Sequence, residues 1–258
     1  MSNVTPSPIA LITGASAGIG EACAEQLAQS GYRLILCARR IQRLNELADR
    51  LAESYGTDCL LIELDVQDKI QVLQRLGELP DEWKKIDVLI NNAGLSQGLD
   101  PIDKGDLEDW DRMIDTNVKG LLYVSRTIIP WMVERKKGHI VNIGSIAAKE
   151  VYPNGNVYCA SKHAVDALNK GMRIDLLPYG IKVTGIHPGM VETEFSEVRF
   201  HGDKVRAKAV YHQLEPLVAQ DIAETITWVL SRPPQVNIND LVIMPTIQAS
   251  GTQIYRGS

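Results

Sequence analysis

Ile9-Ala10-Leu11-Ile12 runs directly into Thr13-Gly14-Ala15-Ser16-Ala17-Gly18-Ile19-Gly20, which opens in turn into Glu21-Ala22-Cys23-Ala24-Glu25-Gln26-Leu27. Four consecutive apolar residues read as a short buried strand, and the segment after Gly20 reads as a helix. Glycines at 14, 18 and 20 permit a tight turn and let the backbone come close to a pyrophosphate. A helix starting there aims free N–H groups and its positive pole at the same anion. A glycine-rich turn elsewhere is plain punctuation. Between a first strand and a helix it reads as a dinucleotide loop, with Ser16, Ala17 and Ile19 flanking the glycines.

Outward from this unit, β-rich runs alternate with stretches of helical period. Leu34-Ile35-Leu36-Cys37, Leu60-Leu61-Ile62-Glu63-Leu64 and Val88-Leu89-Ile90 read as the second to fourth strands. Ile140-Val141-Asn142-Ile143, Lys182-Val183-Thr184-Gly185-Ile186 and Leu241-Val242-Ile243-Met244 complete seven. Such runs argue for a sheet covered on both faces, hence parallel strands with helical crossovers. Leu44, Leu47, Ala48 and Leu51 form one helical stripe ended by Gly56, and Trp110 to Ile129 a longer one closed near Lys136-Lys137-Gly138. Asp221 to Ile226 opens another helix, stopped by Pro233-Pro234. The expectation is a single-domain α/β protein: a Rossmann-type, doubly wound, seven-stranded parallel sheet with helices on both faces. Its cofactor half spans about residues 9–145, a substrate-covering segment about 191–217, and a C-terminal tail 245–258.

The end of the second strand bears on which dinucleotide is bound. An acidic residue about 20 positions beyond the glycines usually holds a ribose 2′-hydroxyl. Here that place reads Ala38-Arg39-Arg40, with no acid. Two guanidinium groups suit a 2′-phosphate, so NADP is expected over NAD. Chemistry is suggested further on, where Tyr158 and Lys162 stand four apart and share one face of a helix. A phenol ionises near pH 10, about three units above neutrality; a neighbouring ammonium favours the phenolate. Ser145, thirteen residues earlier, offers a hydroxyl to hold a carbonyl oxygen while Tyr158 gives or takes a proton.

Composition narrows the class. The 258 residues are 45% apolar and 23% charged, the balance of a globular chain with a full core. A net charge of −5 without a long basic run gives no reason to expect nucleic acid or an anionic membrane surface as partner. Apolar runs are strand-sized, well short of the roughly 20 residues of a membrane span. Met1 to Pro8 lacks the apolar core of a secretion signal. Cys23, Cys37, Cys59 and Cys159 form no CxxC pair, so neither a metal site nor a disulfide framework is expected, and small buried thiols in a reducing cytoplasm are.

These motifs together resemble the short-chain dehydrogenase/reductase family. The likeness covers nearly the whole chain: the TGxxxGxG loop, Leu64-Asp65-Val66, Asn91-Asn92-Ala93-Gly94, Thr116-Asn117-Val118, Ile143-Gly144-Ser145, the YxxxK pair and His187-Pro188-Gly189. The resemblance implies Tyr158 as general acid/base and Lys162 as its pKa partner and a holder of the nicotinamide ribose. It implies Ser145 as the binder of the substrate oxygen and Asn117 as the anchor of a water linking Lys162 to solvent. Asp65 and Val66 would flank the adenine, and Asn92 would lie along the cofactor or support the turn. Pro188, Gly189, Val191 and Thr193 would border the nicotinamide.

Glu194-Phe195-Ser196, Val198-Arg199-Phe200, Lys208-Ala209-Val210-Tyr211 and Ile254-Tyr255-Arg256 resemble the NADP-dependent 3-hydroxy acid dehydrogenase branch, which acts on serine, allo-threonine and related compounds. Arg199, Lys204, Arg206 and Lys208, or else Lys149, Asn156 or Gln97, are the candidates to meet a substrate carboxylate. The same chemistry on a sugar, a bulky ketone or a 3-ketoacyl group is the alternative, and a non-catalytic dinucleotide binder a further one. Resemblance also implies a homo-oligomer, dimer or tetramer, with the tail reaching a neighbouring subunit or ending exposed.

Overall fold

The computed structural model describes residues 7–256, so the expectations for Met1 to Pro6 and for the last two tail residues lie outside the described part. In chain order the main elements are β1 (Ile9–Thr13), α1 (Gly18–Gln29), β2 (Arg33–Ala38), α2 (Ile41–Tyr55), β3 (Cys59–Glu63), α3 (Lys69–Gly77) and β4 (Ile86–Asn91). There follow α4 (Leu107–Ile114), α5 (Leu121–Arg135), β5 (His139–Ile143), α6 (Asn156–Leu176) and β6 (Lys182–Pro188). The last part holds β7 (Val191–Glu192), α7 (Phe195–Arg199), α8 (Lys204–Val210), β8 (Leu217–Val218), α9 (Ala219–Leu230) and β9 (Asp240–Ile243).

Seven strands pair in the order β3-β2-β1-β4-β5-β6-β9, all parallel, so the expected sheet forms. Alternation along a strand divides its side chains between two helical layers. In β1, Ala10 and Ile12 join Leu27, Leu44, Ile222 and Ile226 on one face. Ile9 and Leu11 join Val72, Ile128 and Met132 on the other. Gly56 ends α2 in the left-handed conformation, φ +66°, as its place after Leu51 requires.

Two features depart from the expected pattern. The long helix expected from Trp110 onward is interrupted: Asp115–Gly120 forms a π turn between α4 and α5. The segment after β6 closes a second, two-stranded parallel sheet, pairing Val191 with Leu217 and Glu192 with Val218. Two-residue strands carry too little periodicity to be read from sequence. The pairing fixes both ends of the expected covering segment. Cys23, Cys37 and Cys159 are buried and Cys59 is half-buried. Among the described residues, no helix is long and apolar enough to cross a membrane.

Candidate active site

Strand order reverses between β1 and β4, and the crevice beyond their C-terminal ends is where such sheets bind ligands. One cleft there is lined by Gly14, Ser16 to Ile19, Arg39, Arg40, Asp65, Val66, Asn92, Ser145, Tyr158, Lys162, Pro188, Gly189, Val191 and Thr193. Two expected site residues, Gly20 and Asn117, are buried behind its wall. A Cβ on Gly20 would collide with the Gly14 carbonyl, so this glycine lets α1 pack against the loop. Gly14 and Gly18 take φ of +66° and +57°, the left-handed region that favours glycine. Ala17 at the N-cap supplies no side-chain hydrogen bond, which leaves leading N–H groups of α1 free for an anion.

Asn92 holds this loop together. Its Nδ2 donates to the carbonyls of Thr13 (2.9 Å) and Gly14 (3.2 Å), and its backbone N–H donates to Thr13 Oγ1 (3.1 Å). Of its two expected roles, turn support therefore has the hydrogen bonds, and its place on the cleft wall leaves cofactor contact open. At the far end, Arg40 Nε and one terminal nitrogen each lie 3.2 Å from Ser16 Oγ. The other terminal nitrogen donates to Glu194 Oε2 at 2.9 Å, while Arg43 donates to Glu194 Oε1 at 2.6 Å. Burial raises the Glu194 pKa, but the bonds from Arg43 and Arg40 outweigh it and hold the carboxyl below its usual range. Arg39 is exposed, 4.0 Å from Asp65 Oδ2. This arginine corner beside a loop hydroxyl fits a 2′-phosphate, and the glycine loop fits a pyrophosphate.

At the opposite end, α6 presents Tyr158 and Lys162 toward β5. Both are buried, at 7% and 5% exposure. Lys162 Nζ donates to the Ile143 carbonyl at 2.9 Å and lies 6.0 Å from the Tyr158 ring centroid. Burial pulls the Lys162 ammonium down to about 8. Burial raises Tyr158, opposed by the Arg199 guanidinium and the Ser145 hydroxyl beside it. Ser145 Oγ also accepts from the Ala147 N–H at 3.1 Å, which leaves its own O–H free to donate to a ligand oxygen. Asn117, in the π turn, accepts from the Leu95 N–H and donates to the Leu95 carbonyl, both at 2.8 Å, and donates to Ser161 Oγ at 3.0 Å. π turns recur at functional sites. Here one sets Asn117 beside Gly94, where an added Cβ would meet Asn117 Oδ1 at 3.3 Å and Lys162 Nζ at 3.4 Å.

The cover places one cation over this centre. Arg199 Cζ is 5.5 Å from the Tyr158 ring centroid and 5.2 Å from that of Phe195. Its Nε donates to Ser96 Oγ (3.2 Å) and a terminal nitrogen to Tyr152 Oη (3.3 Å). Phe195 stands edge-on to Tyr158, with centroids 5.8 Å apart. The other candidates for a carboxylate partner are directed elsewhere. Lys204, Arg206 and Lys208 are exposed, with Arg206 lying over Phe200. Lys149 is bound by Asp166 (2.9 Å) and Asp240 (2.5 Å), beside a buried His187. Asn156 donates to the Asp100 carbonyl. Gln97 has a buried, unpartnered Oε1 in a small recess with Tyr158. Sequence reasoning gave no role to Phe195, Tyr152, Ser96, Glu194 or Arg43. Arg43 had a local signal in its i, i+3 spacing from Arg40, and Glu194 and Phe195 stand in a stretch that carries the family resemblance.

Comparison with known proteins agrees with this geometry. The profile of the family described as short chain dehydrogenase matches residues 8–204. The chain belongs to the short-chain dehydrogenase family. An NADP-dependent 3-hydroxy acid dehydrogenase of Escherichia coli is 44% identical to this dehydrogenase over 96% of its chain and 99% of the relative's. Sulfoacetaldehyde reductase 2 of Chromohalobacter salexigens is 43% identical, over 94% and 96% respectively. Among solved structures, the closed form of a serine dehydrogenase complexed with NADP+ superposes with a TM-score of 0.91 at 44% identity, covering 96% of this chain and all of the other.

Proposed function

We propose that this dehydrogenase interconverts a small 3-hydroxy acid and its carbonyl, with NADP as cofactor and Asn117, Ser145, Tyr158 and Lys162 as its catalytic set. The observation that carries the substrate class is Arg199, a guanidinium held over the catalytic phenol by Ser96 and Tyr152. It is placed to bind the carboxylate of a substrate whose hydroxyl reaches Tyr158. The relatives point the same way: a 3-hydroxy acid and sulfoacetaldehyde are both small anions.

When bound, NADP supplies the hydride acceptor for oxidation and NADPH the donor for reduction. Gly14, Ser16, Ala17, Gly18 and Ile19 would seat the pyrophosphate on α1, with Gly20 behind them letting the helix pack against the loop, while Ser16, Arg39 and Arg40 would take the 2′-phosphate. Asp65 and Val66 border the adenine; Asn92, Pro188, Gly189, Val191 and Thr193 border the nicotinamide half. The Ser145 O–H donates to the substrate oxygen. Tyr158 accepts the hydroxyl proton in oxidation and returns it in reduction, its phenolate favoured by Arg199 against burial. Lys162 would hold the nicotinamide ribose and, with Asn117 close by, carry the proton on from Tyr158 toward solvent. Phe195 and Arg199 close the cover and exclude bulk water. The same residues serve both directions.

The enzyme acts as a cytoplasmic homo-oligomer. Exposed apolar side chains support the oligomer, notably Ile174 and Leu177, three apart at the end of α6, at 73% and 75% exposure. The described tail also packs on its own chain: Met190 N–H donates to Gln248 Oε1 (2.8 Å) and Arg256 to the His212 carbonyl (2.8 Å). The test of function follows NADP reduction with serine, allo-threonine, 3-hydroxyisobutyrate, 3-hydroxypropionate, a simple sugar and a hydrophobic secondary alcohol, and NADPH oxidation with sulfoacetaldehyde. Turnover of the hydroxy acids is expected. Turnover confined to the sugar or the bulky alcohol sinks the reading, and preference for sulfoacetaldehyde moves it to sulfonates.

A further inference from the structure

Two ends of the cleft meet in one side chain. Glu194 lies on the covering segment, between Thr193 and the start of α7, yet its carboxylate is bound to Arg40 and Arg43, which belong to the corner that fits a 2′-phosphate. The Arg40 guanidinium is used on two separate edges. Nε and one terminal nitrogen face Ser16 Oγ on the glycine loop, and the other terminal nitrogen faces Glu194. A phosphate held on the Ser16 edge therefore leaves the Glu194 bond in place. Downstream of Glu194, one short helix carries both Phe195 and Arg199 onto Tyr158. Upstream, a Cβ on Gly18 would touch Thr193, so the glycine loop and the base of the cover are already in near contact.

We propose that Glu194 is a positioning residue that couples recognition of the cofactor 2′-phosphate to closure of the α7–α8 cover over the substrate. The inference rests on the reading of the cleft as an NADP site. A phosphate that fixes Arg40 also fixes the partner of Glu194, and with it the start of α7. NADP then orders the cover more than NAD does, although the two cofactors have the same nicotinamide end. Coupling between sites is reciprocal, so an anionic substrate gripped by Arg199 tightens NADP more than NAD.

The experiment compares the wild type with Glu194→Gln, which keeps the size and removes the charge. NADP and NAD affinities are first measured by fluorescence titration. Tryptic cleavage within the cover, after Lys204 and Arg206, is then followed with each cofactor at saturation. In the wild type, NADP slows cleavage about fivefold more than NAD, the scale set by two half-exposed charge pairs. In Glu194→Gln that difference disappears. The KM for the hydroxy acid rises more with NADP than with NAD, so that the two values converge. A purely structural role for Glu194 would raise KM equally with both cofactors, and that result overturns the proposal, as does a cofactor difference that survives the substitution. If neither cofactor effect is seen because NADP fails to bind, the cofactor reading falls together with the coupling. If the proteolysis difference holds but no hydroxy acid turns over, only the substrate class falls.

Discussion

Replacing Arg199 with methionine separates recognition of the substrate anion from proton transfer. The Arg199 stem packs against Phe195 and Tyr158, and methionine keeps apolar bulk there while removing the charge. A hydrogen bond to a charged group contributes about 1.5–3 kcal/mol, which corresponds to roughly 10- to 150-fold in kcat/KM. That loss applies only to substrates with an anionic end. The assay is therefore a pair: 3-hydroxypropionate and 1-propanol, which share a three-carbon chain but differ in the carboxylate. Arg199→Met should lower kcat/KM for the acid by the stated factor and change the alcohol far less. A second effect is common to both substrates. Arg199 opposes the rise that burial imposes on Tyr158, so its removal shifts the rising limb of the oxidation pH profile to higher pH. NADP affinity, titrated by fluorescence, serves as the control for an intact cleft. An equal fall for acid and alcohol would refute the assignment of Arg199 to the carboxylate.

Tyr158→Phe should abolish turnover in both directions while retaining NADP binding; surviving activity would remove Tyr158 from the acid/base role. Arg40→Ala should weaken NADP by about 10- to 150-fold, from the loss of a charge-assisted bond to phosphate, and leave NAD nearly unchanged in equilibrium titration. Acid should destabilise the fold through His139, whose imidazole burial pulls down to about 3, with Lys182 adding to the effect. The unfolded chain protonates this histidine near 6.5 and the folded one does not, so stability is full above that pH and falls as pH drops from 6.5 toward 3. At pH 5 the loss from this residue is about 2 kcal/mol. Urea midpoints at pH 7.5 and 5 should thus lie closer together in His139→Gln than in the wild type; an unchanged interval refutes the assignment.

The sheet and the cofactor loop were legible because their signals are local. Ile9 to Gly20 contains strand, turn and helix start within twelve residues, and apolar strands announce a sheet buried on both faces. Tyr158 and Lys162 were legible for the same reason, as one helix fixes their spacing. The choice among seven polar candidates for the substrate anion was not. Arg199 differs from Arg206 only in where the cover sets it, and that depends on contacts with Ser96 and Tyr152, 103 and 47 positions away. The π turn was hidden because its residues continue the apolar period of the flanking helices. Asn117 was legible only through the family resemblance, since its side-chain partner Leu95 lies 22 positions away.

The small sheet of β7 and β8 makes the cover a cassette. Its two strands run parallel, so α7 and α8 form the crossover of a miniature β–α–β unit whose ends are joined by only two residue pairs. Beyond Thr193 and Glu194, which touch the glycine loop and Arg40, the insert up to Leu217 can then change without moving the main sheet. A lineage holding this frame can exchange the insert, with Arg199 and the aromatic ring of Phe195 beside it, and so acquire new substrates while the hydride chemistry stays as it was.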